Sequence, residues 1–178
     1  MKTSIWMKRF AAIGGSALMG LTLTIGANAA NPEPVAVDVE WVAAIVVAEN
    51  FHLQFGLLDV GTAAGQTVTI NTNDTYSEST ANTVVGGTQL AADLTITVAD
   101  ATPMTILVDN VGVGTYYTLG TWLCNYAAGG DNACDGTGYD VNSSGASGNV
   151  EIGAILTVVG TPTAIVDNVT FDVTVTYQ

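Results

Sequence analysis

An antiparallel β-sandwich of eight or nine strands is the fold this sequence predicts, on three observations. Apolar and polar residues alternate along most of the chain, while helical periodicity is almost absent. Turn-forming Gly, Asn, Asp and Pro punctuate the alternating runs. Val, Thr, Ile, Ala and Gly dominate and charged residues make up only 11% of the chain, a balance that favours a packed core over disorder. Many short strands separated by such turns read as two stacked sheets.

From the N-terminus, Lys2, Lys8 and Arg9 precede an apolar stretch from Ala11 to Gly26, and Ala27-Asn28-Ala29 follows it. A positive start, a short apolar centre and an A-x-A triplet predict an export signal covering residues 1–29, removed to leave Ala30 first. The apolar stretch is short for a membrane span of about 20 residues. Residues 30–41 then form an N-terminal extension. Pro32 and Pro34 stiffen its start, and Val35, Val37, Val39 and Trp41 alternate with Ala36, Asp38 and Glu40 as in an amphipathic strand. "VAAIVVA" (42–48) carries apolar or small residues on both faces, which predicts a fully buried first strand of a single domain spanning 42–178.

Further strands follow. "QTVTIN" points Val68 and Ile70 one way, and "ADLTITVAD" sets Leu94, Ile96 and Val98 against Thr95 and Thr97. "PMTILVDN" and "GTYYTLGTW" supply two more. "NVEIGAILTVVG" turns Val150, Ile152, Ala154, Leu156 and Val158 to one face, and Ile155 and Val159 make its second half apolar on both. The strictest alternation is C-terminal, with Val169, Phe171, Val173, Val175 and Tyr177 against Thr170, Asp172, Thr174 and Thr176. That pattern is a half-buried antiparallel strand. The one interruption is 124–149, "CNYAAGGDNACDGTGYDVNSSGASGN", which reads as a polar, glycine-rich surface loop. Its Cys124 and Cys134 are expected to form a disulfide in an exported chain.

Charge narrows the function classes. All three basic residues lie inside the signal, so its removal takes the formal charge from −13 to −16 with His52 neutral. A chain without Lys or Arg cannot neutralise phosphates, which excludes nucleic acid as a partner. Anionic membrane surfaces are disfavoured for the same reason.

Catalytic constellations are missing. The single histidine, His52, is flanked by Phe51 and Leu53 in an alternation that turns it outward, and a G-x-S-x-G elbow is absent. With no Lys or Arg there is neither a Schiff-base amine nor a cationic oxyanion clamp, and no enzymatic activity is expected. One polar cluster stands out: Asp131, Asp135 and Asp140, with Asn132 and Asn142, in "DNACDGTGYDVN". Clustered carboxylates and amides can supply the oxygens of a Ca²⁺ site. The spacing is not that of an EF-hand, and a plain solvated loop, whose Asp and Asn make turns, is the favoured reading.

"LQFGLLDVGTAAGQTVTIN" (53–71) and "TFDVTVTYQ" (170–178) together resemble the secreted bacterial family called domain of unknown function 4402. Phe55-Gly56, Gly61-Thr62, Gly65 and Val68-Thr69-Ile70 carry the first block, and Val173 to Tyr177 the last. The Cys124–Cys134 loop and the long segment before residue 43 depart from the family pattern. The resemblance implies an immunoglobulin-like sandwich exported to the cell surface, with no catalytic residues to carry over. It also implies likeness to pilus subunits, which often assemble by donor-strand exchange.

Two functions follow as expectations. In the first, the chain is a structural subunit of an extracellular filament, exported through the Sec pathway of a Gram-negative-type bacterium. Val35, Val37, Val39 and Trp41 then add a strand to a neighbouring copy, building a head-to-tail homopolymer. The same segment could instead pair with its own domain as an edge strand. In the second, the chain is a monomeric adhesin whose 124–149 loop, with Trp122, Tyr126 and Tyr139, contacts a carbohydrate or surface receptor.

Overall fold

The computed structural model describes residues 43–98, 102–143, 145–163 and 166–178. These residues are all β. In chain order the strands are β1 (Val46–Phe51), β2 (Gln54–Leu58), β3 (Thr67–Ile70), β4 (Tyr76–Glu78), β5 (Val84–Leu90) and β6 (Ala92–Thr97). β7 (Pro103–Asp109), β8 (Tyr117–Tyr126), β9 (Asn132–Ala133), β10 (Tyr139–Asn142), β11 (Ser147–Val158) and β12 (Asp172–Tyr177) complete them. Every pairing among them is antiparallel.

The largest sheet is organised by β11. One edge of this strand pairs with β8, from Val150 opposite Tyr126 to Val158 opposite Tyr117. Its other edge is shared: β6 takes Ser147 to Ile152 and β3 takes Ala154 to Thr157. Gly153 stands at that handover, where an added Cβ would lie 2.3 Å from the Ile70 carbonyl oxygen. A side chain there would force β3 off the edge. β1 extends the sheet beyond β6, β4 beyond β3, and β9 beyond β8. A second sheet has the order β10-β7-β12, and β2 pairs with β5.

The two larger sheets stack through the faces that the alternation marks. Leu94 and Ile96 of β6, Trp122 and Cys124 of β8, and Val150 and Ile152 of β11 are buried with Met104, Ile106 and Val108 of β7 in one apolar cluster. This is a β-sandwich, with polar side chains on the alternate positions. A smaller cluster of Val68, Ile70 and Ala91 lies under Leu53, Phe55, Leu58 and Val84. The C-terminal strand keeps its alternation: Val173, Val175 and Tyr177 are half-buried, and Asp172, Thr174 and Thr176 exposed.

Three expectations need correcting. The run 42–48 is not a buried strand. β1 begins at Val46, and all six of its residues are exposed, Val46 by 56% and Phe51 by 58%. Apolar side chains on both faces stay uncovered because β1 sits at the sheet margin with β6 as its one partner. Nor is 124–149 a loop. It holds the end of β8, all of β9 and β10, and the start of β11. Strand pairing uses backbone groups, so a short polar segment such as Tyr139–Asn142 can serve as an edge against β7. The strand number rises to twelve because segments as short as β9 pair as well.

Candidate functional site

A groove of about 1390 Å³ opens beside the main sheet. Leu94, Leu119, Leu156 and Val158 of the main sheet line it, as do residues 52–60 around β2 and residues 166–173 leading into β12. β7 contributes nothing to this lining, so the groove lies on the side of β12 away from β7. Among the described strands, β12 pairs with β7 alone and β2 with β5 alone. Each therefore has an edge that no described strand pairs with, and that edge borders the groove along β2 and at Asp172 and Val173 of β12.

The local sequence builds this opening. β2 is irregular: its register against β5 shifts between Phe55 and Leu57, and again before Leu58. At the first shift Gly56 adopts φ +79°, and a Cβ there would stand 2.6 Å from the Gly86 carbonyl oxygen. Only glycine fits such a left-handed, close-packed position. The bend keeps Phe55 half-buried while Leu57 is 63% exposed. Nearby, Thr62 is buried along the groove, and its hydroxyl has no hydrogen-bond partner among the described residues.

On the other side, hydrogen bonds hold the approach to β12. The Thr115 amide donates to Asp167 Oδ2 at 2.7 Å, and the Gly112 amide to the Thr170 carbonyl at 2.8 Å. Burial, and then the Asp167 carboxylate, raise the Tyr117 phenol above its ordinary pKa. Phe171 packs its ring on Trp122. At the far end of β12 the Tyr177 hydroxyl donates to the Ala43 carbonyl at 2.7 Å. Ala43, where the described residues begin, is therefore held beside the C-terminal end of β12.

On the main sheet, Glu151 of β11 stands opposite Asp93 of β6. Burial, and then the charges of Asp74, Asp93 and Asp131, raise its carboxyl above the ordinary value. Residues 43–178 contain no Lys or Arg to offset this repulsion.

The candidate residues fare differently. Val35, Val37, Val39 and Trp41 lie outside the described residues. Cys124 and Cys134 are bonded to each other and fully buried. Asp131, Asp135 and Asp140 do not converge: Asp131 accepts from the Thr72 hydroxyl, Asp135 from the Trp122 amide at 3.4 Å, and Asp140 from the Thr105 hydroxyl at 2.7 Å. Among the described residues no three His, Cys, Asp or Glu side chains are grouped to hold a metal ion. The aromatic surface is corrected: Trp122 is 3% and Tyr126 2% exposed. Their β8 positions alternate inward with Cys124, and only Tyr139 of the three remains half-exposed. His52 is exposed along the groove. The groove itself escaped the sequence reading, though it left a trace there: the apolar alternation begins at Val169, three residues before β12 finds a partner.

The model of the family described as Domain of unknown function (DUF4402) matches residues 45–177. No curated protein matches the chain, and no solved structure does.

Proposed function

The chain belongs to the DUF4402 family, and from that membership and the groove we propose that it is a structural subunit of an extracellular filament, polymerising by strand addition of its N-terminal segment to the next copy. The observation that carries the reading is the pair of unpaired edges, β2 and β12, flanking an apolar opening. A sandwich that leaves such edges open invites a strand from outside, since main-chain hydrogen bonds and alternate side chains can both be satisfied there. Chain composition agrees. Residues 33–41 offer an extended, alternating segment, and a head-to-tail contact of this kind does not close on itself. The signal-like N-terminus and the buried disulfide fit an oxidising, exported setting. The monomeric adhesin reading is weaker, because burial of Trp122 and Tyr126 removes two of its three aromatic contacts.

Electron microscopy and size exclusion of the purified chain beginning at Ala30 test the proposal, with polymers expected. Deleting residues 31–40 should abolish polymers and leave the circular dichroism of a β-sandwich unchanged. A compact monomer from the undeleted chain would overturn the filament reading.

A further inference from the structure

We infer that the groove between β2 and β12 is the acceptor for residues 33–41 of a second copy, which enter antiparallel to β12 with Val35, Val37 and Val39 turned toward Leu94, Leu119 and Leu156. The inference rests on the filament reading and adds where the strand lands, in which direction, and from whose chain it comes.

Size and shape favour a chain segment over a small molecule. The opening exceeds the roughly 300–1000 Å³ of ordinary small-molecule pockets. Two strand edges border it, which a peptide can pair with and a compact ligand cannot. Lengths agree too: residues 33–41 number nine and the groove-lining stretch 166–173 eight, about 26–30 Å each in extended form. The leader's pattern completes the match, with valines for the apolar floor and Asp38 and Glu40 left at the solvent face. The unpartnered, buried Thr62 hydroxyl beside the groove is a group that an incoming peptide can satisfy.

Where the described chain begins decides between a segment's own groove and a neighbour's. Ala43 is held at the Tyr177 end of β12. A leader folding back from Ala43 into its own groove would run parallel to β12, in a molecule whose described pairings are all antiparallel. Parallel pairing is slightly weaker per residue. A second copy is under no such constraint. The margin of β1 is the rival acceptor, but all six of its residues are exposed and only Val47 and Glu49 among them line the groove.

Photo-crosslinking decides the matter. A photoreactive amino acid replaces Val37 in the chain beginning at Ala30, and nitrogen-15-labelled and unlabelled chains are polymerised together and irradiated. Cross-linked peptides should map to residues 53–58 and 169–175, with mixed isotope pairs at the frequency random neighbours give. Cross-links to residues 46–51 with none to 53–58 or 169–175 would keep the filament and overturn the acceptor. Same-isotope pairs alone would place the leader in its own groove and overturn the second copy. Absence of polymer would overturn this inference together with the proposed function. As a second arm, Leu57→Asp alters an exposed groove position. Polymer mass should fall at least tenfold while the melting temperature stays within about 2 °C, because surface changes seldom cost much stability. Undiminished polymerisation of that variant would also count against the groove.

Discussion

The rings of Trp122 and Phe171 meet with centroids 4.6 Å apart and planes tilted by 42°, joining β8 of the main sheet to the run-in of β12. Phe171 is only half covered and also lines the groove. A fully buried Phe→Ala change costs about 3–5 kcal/mol, so Phe171→Ala should cost about 2 kcal/mol. For a domain of this size, that lowers the melting temperature by about 4–8 °C. Calorimetry checks it, and an unchanged melting temperature would mean that the ring contact is not part of the stable fold.

Cys124 and Cys134 close a loop with a sequence separation of 10, within the core. The chain-entropy estimate for so short a loop is about 2–3 kcal/mol. The double variant Cys124→Ala/Cys134→Ala should lose about that much in urea unfolding. A midpoint equal to the parent's would show that the bond adds nothing to the surrounding sheet.

Glu151 sets a pH dependence whose direction follows from its surroundings. Its carboxyl is raised by burial and then by Asp74, Asp93 and Asp131. The folded state therefore binds this proton more tightly than the unfolded chain. The stabilisation is complete below the unfolded pKa and is lost as pH rises through the folded one. At neutral pH, Glu151→Gln should raise the melting temperature slightly, by about 1–2 °C after solvent screening. The advantage should vanish below about pH 4. An advantage that persists at pH 3 would show that packing, not charge, is responsible.

Filament growth should depend on ionic strength. Residues 30–178, the polymerising chain proposed above, carry a formal charge of −16 that leaves copies repelling one another, with no Lys or Arg to bridge them. Raising monovalent salt from about 10 to 150 mM shortens the screening length from about 30 to 8 Å. Light-scattering half-times of assembly should therefore fall several-fold. Calcium and magnesium at equal concentration should act alike, as screening counter-ions. A calcium effect many times that of magnesium would point instead to specific coordination at residues such as Asp131.

What was legible in the sequence was whatever depends on neighbours along the chain. Val68 with Ile70, Met104 with Ile106, and Val150 through Val158 are buried on the faces their alternation marks. The same local logic failed for "VAAIVVA", because two apolar faces describe either a covered strand or an uncovered margin, and only the sheet order separates them. It failed for Tyr126 because the glycines and aspartates after Cys124 suggested a loop, while β11, more than twenty residues later, supplies the strand that pairs with it. The groove was least legible of all. It arises from β2 and β12 each lacking a second partner among the described strands, and a missing partner leaves no periodicity of its own.

The long strand β11 also imposes an order in time. β6, β3 and β8 precede it in the chain, yet these three join into one sheet only through residues 147–158. A chain delivered N-terminus first can form the β3–β4 hairpin and the β1–β6 pair early, but it cannot close its principal sheet until nearly nine-tenths of its length has emerged. Such late, non-local closure slows folding. Under the export proposed above, that delay would keep the chain extended while it is still in transit.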